Sequence, residues 1–199
     1  MTDEQKIEKI FGLLKSPVTA NQLLAQQLWK SQNLAQSGLE MFQHEGPLLH
    51  RHKLSYLRLL EDNYPITKWG KSQFWRLYAI CNECLDIATT EQWQGVQATL
   101  LLHQKDIQAQ AVFYFSGVDI DFRLIESHIE YLNPLDKDGV STALRNIFYR
   151  GGRYGRDVTS ITRLITIRRK SGFPFSCWLE PHNEHQQKIH ILVFYEATL

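Results

Sequence analysis

The stretch that decides the fold is VQATLLLHQKDIQAQAVFYF, Val96–Phe115. Up to this point the apolar residues recur at helical spacing; here the period drops to two. In the second half, Ile107, Ala109, Ala111, Phe113 and Phe115 fall on one face, with Gln108, Gln110 and Tyr114 on the other. That alternation, interrupted by the polar HQKD, predicts two antiparallel strands, Val96–Leu102 and Ile107–Phe115, joined as a hairpin.

Upstream the pattern is helical. Ile7, Ile10, Phe11 and Leu14 follow the i, i+3, i+4, i+7 spacing of one helix face. Ser16-Pro17 ends that helix, because a residue before proline is pushed out of the α region. Thr19 and Gln22 have the spacing of a capping box for a second helix, carrying Leu23, Leu24 and Leu28 and ending near Gly38. Gly46-Pro47 opens a third, with Leu54, Leu57 and Leu60. Residues 63–70 (NYPITKWG) read as a linker, and Ser72–Ala88 as a further helix.

Downstream, Phe122–Leu132 and Val140–Tyr149 read as helices, the first ended by Asn133-Pro134 and the second by Gly151-Gly152. The β-branched run Thr159–Arg168 reads as a strand, followed by strands Phe173–Leu179 and Ile189–Tyr195. The expected class is therefore α+β: an antiparallel sheet with packed helices, preceded by a small helical N-terminal region. The expected division is a helical region over 1–62 and an α+β domain over 71–199.

Composition narrows the function classes. The 199 residues are 43% hydrophobic with a formal charge of +1, so no global field draws the chain to nucleic acid or anionic lipid. Three cysteines, Cys81, Cys84 and Cys177, are too few and odd in number for a disulfide framework. The charged N-terminus lacks the apolar core of a signal peptide, and no apolar run approaches the roughly 18 residues of a membrane span. A cytoplasmic protein is expected.

Motifs for chemistry are sparse. Cys81-x-x-Cys84 has the spacing of half a zinc site, but no second pair follows, and inside a helix small buried thiols are ordinary core. Glu180, His182, Glu184, His185 and His190 could in principle hold a transition metal; a solvated hairpin tip is the simpler reading. His44, His50 and His52 lack carboxylates at helical spacing. No GxSxG, HExxH or P-loop sequence occurs. The expectation is no catalytic set, no metal and no cofactor.

The most distinctive local feature is basic. Lys137, Arg145, Arg150, Arg153, Arg156, Arg163, Arg168, Arg169 and Lys170 are opposed locally only by Asp138 and Asp157. Arginine interleaved with Phe148, Tyr149 and Tyr154 suits an acidic protein surface, and equally phosphates and bases. A solvated face, neutralised by acids elsewhere in the chain, is the bland alternative. Loops on a rigid frame are where recognition concentrates, so Arg150, Arg153, Tyr154 and Arg156, in and beside the glycine-rich GGRYGR, are the candidate partner-binding residues.

Two segments also carry a family likeness. CNECLDIATTEQWQGVQATLLLHQKDIQAQAVFYF (Cys81–Phe115) places a helix, a tryptophan, a strand, a polar turn and an aromatic-rich strand in order. ALRNIFYRGG (Ala143–Gly152) then precedes VTSITRLITIRRKSGFPFSCWL (Val158–Leu179). Over about residues 75–180 this order resembles the YezG-like bacterial immunity (antitoxin) proteins. The resemblance implies a non-enzymatic protein that binds and neutralises a cognate toxin, commonly a nuclease. The alternative is a nucleic-acid-binding protein using the Arg145–Lys170 stretch.

Overall fold

The computed structural model describes residues 40–63, 70–89, 93–105, 108–118, 122–150, 157–183 and 186–198, together with residues 5, 9, 13 and 15. It confirms the α+β class. In chain order the elements are β1 (Glu40–Glu45), α1 (His50–Asn63), α2 (Lys71–Ala88), β2 (Gln94–Lys105) and β3 (Gln108–Val118). Then follow α3 (Phe122–Leu132), α4 (Lys137–Arg150), α5 (Asp157–Ser171), β4 (Ser176–Pro181) and β5 (Gln187–Thr198). The strands form one antiparallel sheet in the order β1-β2-β3-β5-β4.

The predicted hairpin is present and pairs Leu100 with Phe113 and Leu102 with Ala111. Its alternation sorts the sheet into two faces. Val96, Ala98, Leu100, Phe113, Phe115, Ile191 and Val193 belong to the main core. There they join Leu57 and Leu60 of α1, Leu77, Cys81 and Leu85 of α2, Ile125 and Ile129 of α3, Val140 of α4, and Leu164 and Ile165 of α5. The opposite face holds Leu101, Val112, Tyr114, Leu192 and Phe194, which are also buried. Among the described residues, Phe173 packs edge-on against Phe194 at 4.7 Å, and the Lys15 ammonium lies 5.9 Å from the Phe194 ring.

Local signals explain most element ends. Asn133, the predicted stop of α3, also bonds to Phe175, the residue that leads into β4. Its amide donates to the Phe175 carbonyl at 3.0 Å, and its side-chain oxygen accepts from the Phe175 N–H at 2.8 Å. The Asp136 carboxylate accepts the Gly139 N–H at 2.7 Å, meeting one orphan donor at the start of α4.

Two expectations are corrected. Residues 159–168 are not a strand: they lie within the helix α5. The β-branched residues misled, because propensity yields to a tertiary fit. Leu164, Ile165, Ile167 and Arg168 are buried in the helix, Asp157 opens it, and Arg168, Arg169 and Lys170 answer its C-terminal partial charge. Gly172, at φ 80°, closes it by donating to the Arg168 carbonyl at 3.0 Å. The two final strands are present as β4 and β5, with β5 lying between β3 and β4.

Within the segment read as wholly helical, Glu40–Glu45 is an edge strand paired with β2. The helices expected over 7–14 and 19–38, and linker residues 64–69, lie outside the described residues, apart from Lys9 and Leu13.

Candidate functional site, two ends of helix α4

The basic stretch read as one patch is divided by the fold. Its described members sit at separate places along α4 and α5.

Arg163, in the middle of α5, turns towards α2. Its Nη1 is 3.4 Å from Asp86 Oδ2, while Lys53 of α1 pairs with Asp86 Oδ1. Lys53 is nearly buried, and burial, reinforced by the nearby Arg163 charge, lowers its pKa from the usual lysine value. Part of the stretch is therefore neutralised inside the fold by an acid distant in sequence. Sequence reading passed over Lys53, although it continues the buried 57 and 60 positions of α1 at i−4 and i−7.

At the C-terminal end of α5, Arg168, Arg169 and Lys170 meet Lys137 from the first turn of α4 and Arg76 from α2. Together with Asp136, Ser171, Gly172, Tyr195 and Glu196 they line a cleft of about 580 Å³. Arg168 donates from Nη2 to the Leu135 carbonyl at 2.9 Å. Tyr195 donates to the Gln73 carbonyl at 3.2 Å, and burial pushes its phenol up to about 12.

At the opposite end of α4 the helix finishes in Phe148-Tyr149-Arg150. Phe148 is 73% exposed and Tyr149 88% exposed. Arg150 is the last residue of the helix. Arg153, Tyr154 and Arg156 lie outside the described residues, as does the rest of the glycine-rich segment. Of the predicted partner-binding residues, Arg150 is the described one, and it directly follows two aromatic rings left in water.

The cysteine pair sits in the core. Cys81 and Cys84 are buried on α2, and burial raises both thiol pKa values; burial also pushes Cys177 up to about 12. On the second sheet face Trp178 stacks on His190 with ring centroids 4.8 Å apart, and Tyr114 and His190 Nδ1 share a 2.9 Å hydrogen bond. His190 Nε2 is 3.2 Å from Glu180, so these two residues of the His/Glu segment are brought together. His182 stands exposed at the turn, while Glu184 and His185 lie outside the described residues. Among the described residues no three His, Cys, Asp or Glu side chains are grouped as metal ligands. No helix among them is long and apolar enough to cross a membrane.

No protein-family model matches the sequence, and no curated protein matches it. Among solved structures, a chain of the SiaB-SiaC complex from Pseudomonas aeruginosa is similar in fold. The TM-score is 0.63 at 12% identity, over 86% of this chain and 96% of that one.

Proposed function

We propose that this chain works by binding a protein partner, without catalysis, and that it is an immunity protein of the antitoxin type. The observation that carries the reading is the exposure of Phe148 and Tyr149, which in the sequence directly precede Arg150, Arg153, Tyr154 and Arg156. Large rings kept in water gain by transfer to an apolar surface, roughly 1.5–3 kcal/mol for a side chain such as phenylalanine. Tyrosine and arginine are the residue types enriched among interface hot spots. A binding protein needs a rigid frame and a few such anchors, and the five-stranded sheet with its helix layer supplies the frame. The resemblance to YezG-like proteins supports the toxin as the partner class. The related fold in the SiaB-SiaC complex supports a protein partner in general. The basic charge around Arg150–Arg156 favours an acidic patch on the toxin, since complementary fields speed capture.

The test is co-expression with candidate toxins encoded beside the gene, scored by growth, together with capture from lysate. Rescue by the wild type, lost in Phe148→Ser/Tyr149→Ser and in Arg150→Glu/Arg153→Glu/Arg156→Glu, is the expected result. Absence of rescue by any such toxin removes the immunity reading. Capture of nucleic acid that falls steeply with salt would instead favour phosphate contacts by the same arginines.

A further inference from the structure

We propose that the cleft between the C-terminal end of α5, the first turn of α4 and α2 is a binding site for a phosphate group, carried free or on a small metabolite. Five cationic side chains converge on it: Arg76, Lys137, Arg168, Arg169 and Lys170. They come from three helices, so the dipole of α5 accounts for the last three at most. Among the described residues none of the five is held in an ion pair. The two acids in the lining are already engaged. Asp136 accepts the Gly139 N–H, and Glu196 accepts from Lys15 at 2.5 Å and from Gln110 at 2.9 Å.

Arg168 gives the site its built character. The residue is 9% exposed, and its buried Nε has no hydrogen-bond partner although Nη2 is fixed on Leu135. Nε, sealed from solvent, offers the cleft positive charge and no hydrogen bond, and a guanidinium fixed in place by Leu135 loses little freedom on meeting an oxyanion. A singly charged carboxylate would answer one of these cations. A phosphate brings close to two negative charges and several acceptor oxygens, which suits five convergent cations. The volume lies within the range of small-molecule sites and leaves room beyond a phosphate. This site is independent of the partner surface, because α4 holds the two apart by about 20 Å, its 14-residue length.

Isothermal titration calorimetry of the full chain in a phosphate-free buffer, with inorganic phosphate and in parallel with AMP, tests the assignment. Saturable one-to-one binding is expected, weakened at least tenfold by Arg168→Gln and by Arg169→Gln/Lys170→Gln. Arg145→Gln, on the exposed side of α4, should leave it unchanged. The Arg169/Lys170 pair keeps the test valid if loss of the Leu135 contact unfolds Arg168→Gln. Binding of AMP alone, with the same variant pattern, places the phosphate on a metabolite; binding of inorganic phosphate alone identifies the free ion. No heat with either ligand, or an affinity that Arg145→Gln lowers as much as the cleft variants, overturns the proposal.

Discussion

Asp86 on α2 is shared between Arg163 of α5, at 3.4 Å, and Lys53 of α1, so one carboxylate ties three helices together. Asn82, one turn earlier, adds a 3.4 Å bond to the same carboxylate. Removing the acid leaves Lys53 charged and nearly buried without its counter-ion. Asp86→Ala should cost about 2–4 kcal/mol, read as a lower urea midpoint. The double variant Lys53→Met/Asp86→Leu should recover part of that loss, because it removes the buried lysine's desolvation penalty while Arg163 still loses its acid.

Gly117 lies where a Cβ would meet the Trp93 ring at 2.5 Å. Gly117→Ala must therefore displace Trp93, which is buried and packs on Phe115 with centroids 5.7 Å apart. A loss of about 1–3 kcal/mol is expected, the usual cost of overpacking, together with a red shift in the Trp93 contribution to fluorescence. An unchanged spectrum and stability would mean that the ring is not held against β3.

The thiols should be unreactive in the native state. Cys81 and Cys84 are enclosed, and the Cys177 thiol, pushed to about 12 by burial with Glu126 and Glu130 adding to it, holds almost no thiolate at pH 8. Labelling by a thiol reagent should be slow in buffer and reach three groups promptly in denaturant. Fast native labelling of any one would contradict the packing around α2 or β4.

Glu196 predicts an acid-limb effect. Burial pushes its carboxyl up, but hydrogen bonds from Lys15 and Gln110 outweigh that and hold it below its ordinary value of 4.5. A depressed folded pKa means that the unfolded chain binds more protons near and below 4.5. The stabilisation is thus present above that pH and is lost as pH falls through the folded value. Glu196→Gln should flatten this part of the stability–pH curve and cost about 0.5–1 kcal/mol at neutral pH, since the Lys15 pair is partly exposed.

Phe148→Ser and Tyr149→Ser should leave stability within about 0.5 kcal/mol, because neither ring is buried by the fold. A large loss on thermal melting would show that these rings pack on the chain itself and are not held out for a partner.

The central hairpin was legible because Ile107, Ala109, Ala111, Phe113 and Phe115 recur at period two behind the polar turn HQKD. Helix α2 was legible because Phe74, Leu77, Cys81, Cys84, Leu85 and Ala88 mark one wide stripe. Two elements were hidden for opposite reasons. In α5 the β-branched residues speak for a strand, while Ile161, Leu164, Ile165 and Arg168 carry the helical spacing with an arginine in one core-side position. In β1 the run EMFQHE offers little pattern, with Phe42 the one described hydrophobic that is buried, and the strand exists through its ladder to β2. The cleft was half readable: Lys137, Arg168, Arg169 and Lys170 stood out as charge. Arg76 is drawn in from a helix more than sixty residues earlier, and only the packing of α2 on α5 brings it there.

The position of β5 bears on how the molecule assembles. Among the described residues it is the last strand in chain order, yet it lies inside the sheet, and its register with β3 joins Val118 to Lys188 and Gln108 to Thr198, partners seventy to ninety residues apart. During synthesis β1, β2 and β3 can pair as they leave the ribosome, whereas β4 emerges with no neighbour until β5 follows. Loops of this length must close before their contacts reward them, which slows folding relative to a chain held by local contacts. Through that interval the second face, with Tyr114, Val112 and Leu101, waits for the strand that completes it, and this is when a nascent chain is most exposed to aggregation.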